Sequence, residues 1–401
     1  MPGFELFGEA EKAEVQKVLD TGVLMRYGFD GMRNGHWKAL ELEKALAKRM
    51  EVAHVHLVSS GTAALTVALQ SAGIGAGDEI IMPTFTFVAS FESILAVGAI
   101  PIIVDVDDTL TLNPAAVAKA VTDKTRAVMP VHMCGSMADL AAIKAICDTH
   151  DLLLVEDACQ AIGGSYEGKP LGSYGDMGCF SFDYVKTITC GEGGAFITNN
   201  KKYYTNAHEY SDHGHDHMGS DRGAELHPKL GYNFRISELN AAVGCAQVKR
   251  LDEFIEIQQK YYTILYDALA TINGVTFRRI PEGGVQNYCF LNFFLPTEEL
   301  AREVHRQLVK EGVAVCFYWF DNNWHYYKKW DHLFELKSFA KLPEEIKAGL
   351  PDYTKADFSA SDFWIGRTVS SLIKIGWSEA EVTERAAKMA SVIKRVLEDS
   401  N

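Results

Sequence analysis

No two of the eight cysteines stand in a C-x-x-C pair; they are scattered at positions 134, 147, 159, 179, 190, 245, 289 and 316. That spacing argues against a zinc ribbon or a disulfide framework, and reduced thiols in a cytoplasmic compartment are expected. No run of about 18 apolar residues occurs, so no segment is expected to span a bilayer as a helix. The opening MPGFELFGEAEKAEVQKVL lacks a basic start followed by an apolar stretch, so no secretory signal is expected either. Positive charge is in deficit: Lys plus Arg number 39 against 53 for Asp plus Glu, a formal net charge of −14. A field of that sign repels phosphate backbones and argues against a nucleic-acid partner, while local Arg or Lys can still hold a small anionic substrate. Internal repeats and low-complexity tracts are absent. What is there is ordinary globular composition, 47% hydrophobic and 23% charged over 401 residues, which suits two domains.

Between about residues 53 and 200 two textures alternate. Short apolar or β-branched runs recur at 54–58, 79–82, 100–106, 126–131, 152–155 and 195–198, with helical patterns at 62–72, 88–97, 114–121 and 137–150 between them. Continuous apolar strands separated by amphipathic helices predict an α/β domain with a mostly parallel sheet covered on both faces. Ligands of such sheets lie beyond the carboxyl ends of the strands, which draws attention to Asp105 and to the pair Glu156 and Asp157. Past residue 235 the texture changes. Residues 236–272 carry apolar residues at helical spacing without proline, interrupted only by Gly244, and read as two helices in sequence or one long helix spanning two domains. The remainder mixes strands at 288–295 and 314–318 with helices at 297–311 and 379–397. The expected division is a large domain over residues 1–250 and a smaller α+β domain over 251–401.

Ser59-Ser60-Gly61-Thr62-Ala63-Ala64 lies between an expected strand and an expected helix. Small residues at a helix N-terminus leave free N–H groups and a positive dipole end that suit a phosphate, although a plain capping turn has the same composition. Asp157 ends a strand, where a carboxylate can hold a ring nitrogen positive or simply cap the next helix. Lys186 follows Phe180-Ser181-Phe182-Asp183-Tyr184-Val185, and apolar neighbours would desolvate its ammonium and lower its pKa, as a Schiff-base lysine requires. The glycines of Gly191-Glu192-Gly193-Gly194 permit close backbone approach or a hairpin turn.

In this order, S-G-T-A-A-L (60–65), P-T-F-T-F-V-A (83–89), E-D-A-C-Q-A (156–161), F-S-F-D-Y-V-K-T-I-T-C-G-E-G-G (180–194) and G-Y-N-F-R-I-S-E (231–238) resemble the DegT/DnrJ/StrS family. These are pyridoxal-phosphate (PLP) sugar aminotransferases of fold type I, the aspartate-aminotransferase-like fold. The resemblance runs from about Leu19 to the C-terminus and is densest between residues 57 and 240. It implies that Lys186 anchors the cofactor and carries protons, Asp157 faces the pyridine nitrogen, Gln160 lies near the phenolic oxygen and Phe87 stacks on the ring. Thr62 and Ser181, with the amides of Gly61 and Ala63, match a phosphate cradle. Asn233 matches a residue reaching the phosphate from a neighbouring subunit, which implies a homodimer with shared active sites. Relatives that dehydrate sugars have His in place of Lys186, so transamination is favoured.

The implied reaction takes an amino group from an amino acid, with glutamate the expected donor, to a keto- or aldehydo-sugar. Arg235 is a candidate for a substrate anion, or else closes a subunit interface. The segment from Gly22 to Trp37 is longer than in most relatives, and its Arg26 and Arg33 are candidates for an anionic acceptor, with a solvated loop as the alternative. One such acceptor is an 8-oxo-3-deoxy-octulosonate of lipopolysaccharide; a nucleotide-linked keto-sugar, a PLP-dependent sugar dehydratase and a non-catalytic regulator are the other readings. Cys134 and Ile162 stand where relatives more often have Tyr and His. The aromatic stretch from Phe317 through Trp324, His325, Tyr326 and Tyr327 floors the acceptor pocket or packs the small domain. The histidine-rich run from His208 to His217 is expected to be a polar loop, with no metal.

Overall fold

Apolar runs of four or five residues make the central sheet of the computed structural model, which describes residues 2–219 and 223–400. The strands are β1 His54–Val58, β2 Glu79–Pro83, β3 Ile100–Val104, β4 Thr125–Val128, β5 Leu153–Asp157, β6 Met177–Ser181 and β7 Gly194–Thr198. Across the sheet they run β1-β7-β6-β5-β4-β2-β3. The pairs from β6 to β3 are parallel, and β7 lies antiparallel to both β1 and β6. This is the expected mostly parallel sheet, and its strands are buried on both faces because helices cover both. The helix Gly61–Ser71 is almost entirely buried, as its run of Ala, Leu and Val on every face dictates.

A second sheet comes from the C-terminal part: β8 Thr276–Phe277, β9 Phe290–Phe294, β10 Cys316–Phe317 and β11 Thr368–Leu372. Its order is β8-β9-β11-β10, all antiparallel. The helices Glu298–Lys310 and Glu379–Glu398 pack beside it, the latter opened by a Ser378–Glu381 capping box. Residues 236–272 form two helices, Glu238–Val248 and Leu251–Ala270, broken at Arg250, which leaves helical geometry at φ −105°, ψ 4°. Gly244 does not interrupt the first of them. A Cβ there would lie 2.5 Å from Leu42 Cδ2 and 2.6 Å from Cys190 Sγ, so glycine serves close packing. Among the described residues no helix is long and apolar enough to cross a membrane.

Candidate active site

Alternation along β5 sends its two terminal carboxylates to opposite faces. Glu156 is fully buried and accepts the backbone N–H groups of Gly172, Tyr174 and Gly175 at 2.7–2.8 Å, while His132 Nε2 lies 2.8 Å away. It fixes the turn that feeds β6. Asp157 faces the other way, into a cavity of about 620 Å3 between the two sheets. Ser90 donates to its Oδ2 at 2.7 Å and the Cys159 N–H to its Oδ1 at 3.2 Å. Thr86 meets Ser90 at 2.6 Å, so the carboxylate is held by a chain of hydroxyls rather than by a cation.

The same cavity is lined by Gly61, Thr62, Phe87, Gln160, Ser181 and Lys186. Each arrives from the carboxyl end of a strand or the turn after it: Gly61 and Thr62 after β1, Phe87 after β2, Asp157 and Gln160 at and after β5, Ser181 and Lys186 at and after β6. Gln160 Oε1 accepts the Cys134 N–H at 3.0 Å, which leaves its amide nitrogen to donate elsewhere. Cys134 reaches that position with φ +58°, an unusual conformation for a residue with a side chain. Asn287 donates to the Gln160 carbonyl at 2.9 Å and secures the main chain. Gly61 sits so close to β6 that a Cβ would lie 2.7 Å from Ser181 Cβ. Gly194 is equally constrained, since a Cβ would overlap the Ser60 carbonyl. Lys186 is anchored through its carbonyl, which accepts the Gly3 N–H at 2.9 Å.

Ala63 departs from expectation. Its N–H is taken by Ser60 Oγ at 3.0 Å, the N-cap bond of the helix, so the amides at this terminus without a partner among the described residues are those of Gly61 and Thr62. The structure also does not bring the expected arginines to the cavity. Arg26 is buried, donating to the Leu57 carbonyl at 2.7 Å and to Glu43 at 2.6 Å. Arg33 is buried too, bonded to the carbonyls of Met25 and Gly28, 3.3 Å from Glu238 and stacked 3.7 Å over Trp37. A guanidinium offers five donors, and here it satisfies carbonyls of an irregular segment instead of a ligand. Arg235 pairs with Asp212, away from the cavity, and Asn233 is exposed on the same segment.

Sequence reasoning did not single out Ser90, Glu5, Asn287 or Lys374. Ser90, Glu5 and Lys374 line the cavity, and Lys374 Nζ lies 3.0 Å from Glu5 Oε1. The aromatic stretch divides between its two readings. Trp319 and His325 line the cavity, while Phe320, Tyr326 and Tyr327 pack the core. His325 is placed by main-chain bonds from Thr86 N–H to its carbonyl (3.0 Å) and from Val88 N–H to that of Trp324 (2.8 Å). Trp324 in turn stacks on Phe87 with ring centroids 5.5 Å apart. Burial, with the nearby Lys186 ammonium, pushes the His325 imidazole down to about 3, so it is neutral at physiological pH. Cys159 also lines the cavity, and burial beside Asp157 holds its thiol well above the usual range.

Residues 6–347 match the DegT/DnrJ/EryC1/StrS aminotransferase family. The 3-amino-5-hydroxybenzoate synthase of Amycolatopsis mediterranei (strain S699) is 35% identical over 323 residues, covering 78% of this chain and 79% of the relative. The GDP-perosamine synthase of Vibrio cholerae is 35% identical over 266 residues, covering 66% and 70%. The solved structure of an aminotransferase from Psychrobacter cryohalolentis superposes over 98% of both chains, with a TM-score of 0.82 at 25% identity.

Proposed function

The chain belongs to the DegT/DnrJ/EryC1/StrS aminotransferase family and is a pyridoxal-phosphate-dependent aminotransferase; from that premise we propose that it moves an amino group from glutamate to a keto- or aldehydo-sugar inside the cavity that holds Lys186. One observation carries the reading: Gly61, Thr62, Phe87, Asp157, Gln160, Ser181 and Lys186 come from four separate segments and converge on that one cavity. The residues fit the cofactor. Glycine at 61 brings the helix N-terminus against Ser181 where a Cβ would collide, and two amides plus two hydroxyls there suit a phosphate. A buried carboxylate with no cation pairing it among the described residues suits a protonated ring nitrogen.

When bound, the cofactor supplies an electron-poor ring that accepts the electron pair left as the donor's α-proton departs. Asp157, oriented by Ser90, would keep the ring nitrogen protonated. Lys186 Nζ would hold the cofactor covalently until the donor amine displaces it, and the freed amine would then take the donor's α-proton and deliver it to the cofactor, the steps reversing for the acceptor. Phe87, backed by Trp324, would pack against the ring, and Gln160 would donate from its amide nitrogen to the cofactor. Asn233, exposed on its own protomer, completes the phosphate site of a neighbouring copy in a homodimer.

For the acceptor we favour a sugar with its own carboxylate, of the 8-oxo-3-deoxy-octulosonate class. Lys374 supports this: it lines the cavity from the small domain, and its partner Glu5 can be exchanged for a substrate carboxylate. The test is to convert the holoenzyme with glutamate, which bleaches the visible band of the bound cofactor, and then to add candidate acceptors and follow its return. An octulosonate restoring the band faster than nucleotide-linked keto-sugars supports the assignment. Lys374→Met should then raise KM for the octulosonate about tenfold and leave that for glutamate unchanged. Faster return with a nucleotide-linked sugar overturns the acceptor class, and no bleaching by glutamate overturns the donor.

A further inference from the structure

We propose that Asp212, His215 and His217 bind a divalent transition-metal ion, zinc by their chemistry, at a structural site separate from the cavity. The turn Asp212-His213-Gly214-His215-Asp216-His217 is packed rather than solvated. His213 and His217 adopt φ +60° and +55°, and Gly214 lies so close to Lys229 that a Cβ would overlap its carbonyl. The His215 N–H bonds to the Asp212 carbonyl at 3.1 Å, folding positions i, i+3 and i+5 onto one point. Asp212 Oδ2 then lies 3.3 Å from His217 Nε2 and 3.8 Å from His215 Nδ1. Ligand atoms of all three residues fall within 4.8 Å of one another. Bonds of about 2.0–2.1 Å in a tetrahedron put neighbouring ligand atoms roughly 3.3 Å apart, which the Asp212–His217 separation matches and the Asp212–His215 separation approaches.

Two further observations point to a cation. The His215 side chain is 2% exposed, yet its Nδ1 makes no hydrogen bond among the described residues. A buried imidazole nitrogen aimed at a carboxylate and a second histidine is what a metal would satisfy. Behind it the Glu225 carboxylate lies against Nε2, the side on which a metal-bound histidine keeps a carboxylate. Arg235 takes Asp212 Oδ1, orienting the carboxylate with Oδ2 toward the histidines. His215, Asp216 and Glu225 form an alternative triplet, but with a single imidazole and two half-buried carboxylates it is the poorer nitrogen-rich site. Such an ion would pin 212–217 against the segment 231–235, to which Asp212 is already bridged at Asn233.

Zinc chloride titrated calorimetrically into chelator-treated, dialysed holoenzyme should bind one per chain with a submicromolar Kd and raise the thermal midpoint by several degrees. His215→Gln and His217→Gln should each weaken binding at least 100-fold. Because either variant could misfold, the wild-type crystal soaked in zinc provides the independent reading: an anomalous peak among Asp212, His215 and His217 upholds the site. Absence of stoichiometric uptake, a peak elsewhere, or undiminished binding in folded variants overturns it.

Discussion

In the proposed reaction, a carboxylate held by hydroxyls and a lysine anchored through its carbonyl divide the chemistry of the cavity between them. Asp157→Asn keeps the shape and the Ser90 contact but removes the charge, so kcat for the glutamate half-reaction should fall about 10²–10³-fold, with little change in the melting temperature. Stopped-flow bleaching of the cofactor band measures this, and a loss below about tenfold would show that the ring nitrogen has another partner. His325 gives a prediction of the opposite kind. Its folded-state value of about 3 lies below the ordinary histidine value, so between those pH values the unfolded chain binds the extra proton and stability falls as pH falls. From pH 7 to 5 the apoprotein should lose about 2 kcal/mol through this group, a loss absent in His325→Gln; equal pH dependence of the two proteins in denaturant titrations would refute it. Lys186, Asp157 and Gln160 were legible because each sits in a local motif. His325, Ser90 and Lys374 were not, because nothing within a few residues of them reports on a cavity made by a distant strand. Arg26 and Arg33 misled for the same reason: a charged residue in sequence carries no sign of whether its partner is a ligand or a buried carbonyl.

Six of the seven strands of the central sheet were readable because burial on both faces leaves apolar runs, and the boundaries at β1 and at the helix from Pro114 fall where the residues change; β6 was not, because Gly178 and Ser181 break its apolar run. β11 was invisible. Its T-V-S-S-L looks polar, but Ser370 accepts from Trp319 Nε1 at 2.7 Å and donates to Asn292 at 2.5 Å, so tertiary contacts make a central strand of a segment whose hydropathy argues against it. The turn after β1 was readable as a small-residue turn opening a helix, and the Ala63 amide, expected to face a ligand, is bonded to the N-cap Ser60 Oγ instead. Gly61→Ala tests this element. Its Cβ, 2.7 Å from Ser181 Cβ, must push the helix start off β6, and cofactor retention after dialysis should drop at least about tenfold while far-UV circular dichroism stays unchanged. Full retention would place the phosphate elsewhere.

At the scale of the whole molecule, Asn233 matters most: it is exposed and lies away from the cavity, its Oδ1 accepting the Arg235 N–H at 3.3 Å. If Asn233 serves a neighbouring copy, each active site combines Lys186 of one protomer with Asn233 of the other, and the two residues can be lost separately. Lys186→Ala and Asn233→Ala homodimers should both be nearly inactive, the first for want of the anchor and the second for want of cofactor retention. Mixed and reassembled at equal amounts, half the dimers are hybrid, and each hybrid has one site with both residues intact, so about a quarter of wild-type activity should return. A site built within one protomer permits no such rescue, because no hybrid would combine the intact residues. Activity that stays at the sum of the two parents after subunit exchange, verified by mass tagging, would therefore place the whole site inside a single chain.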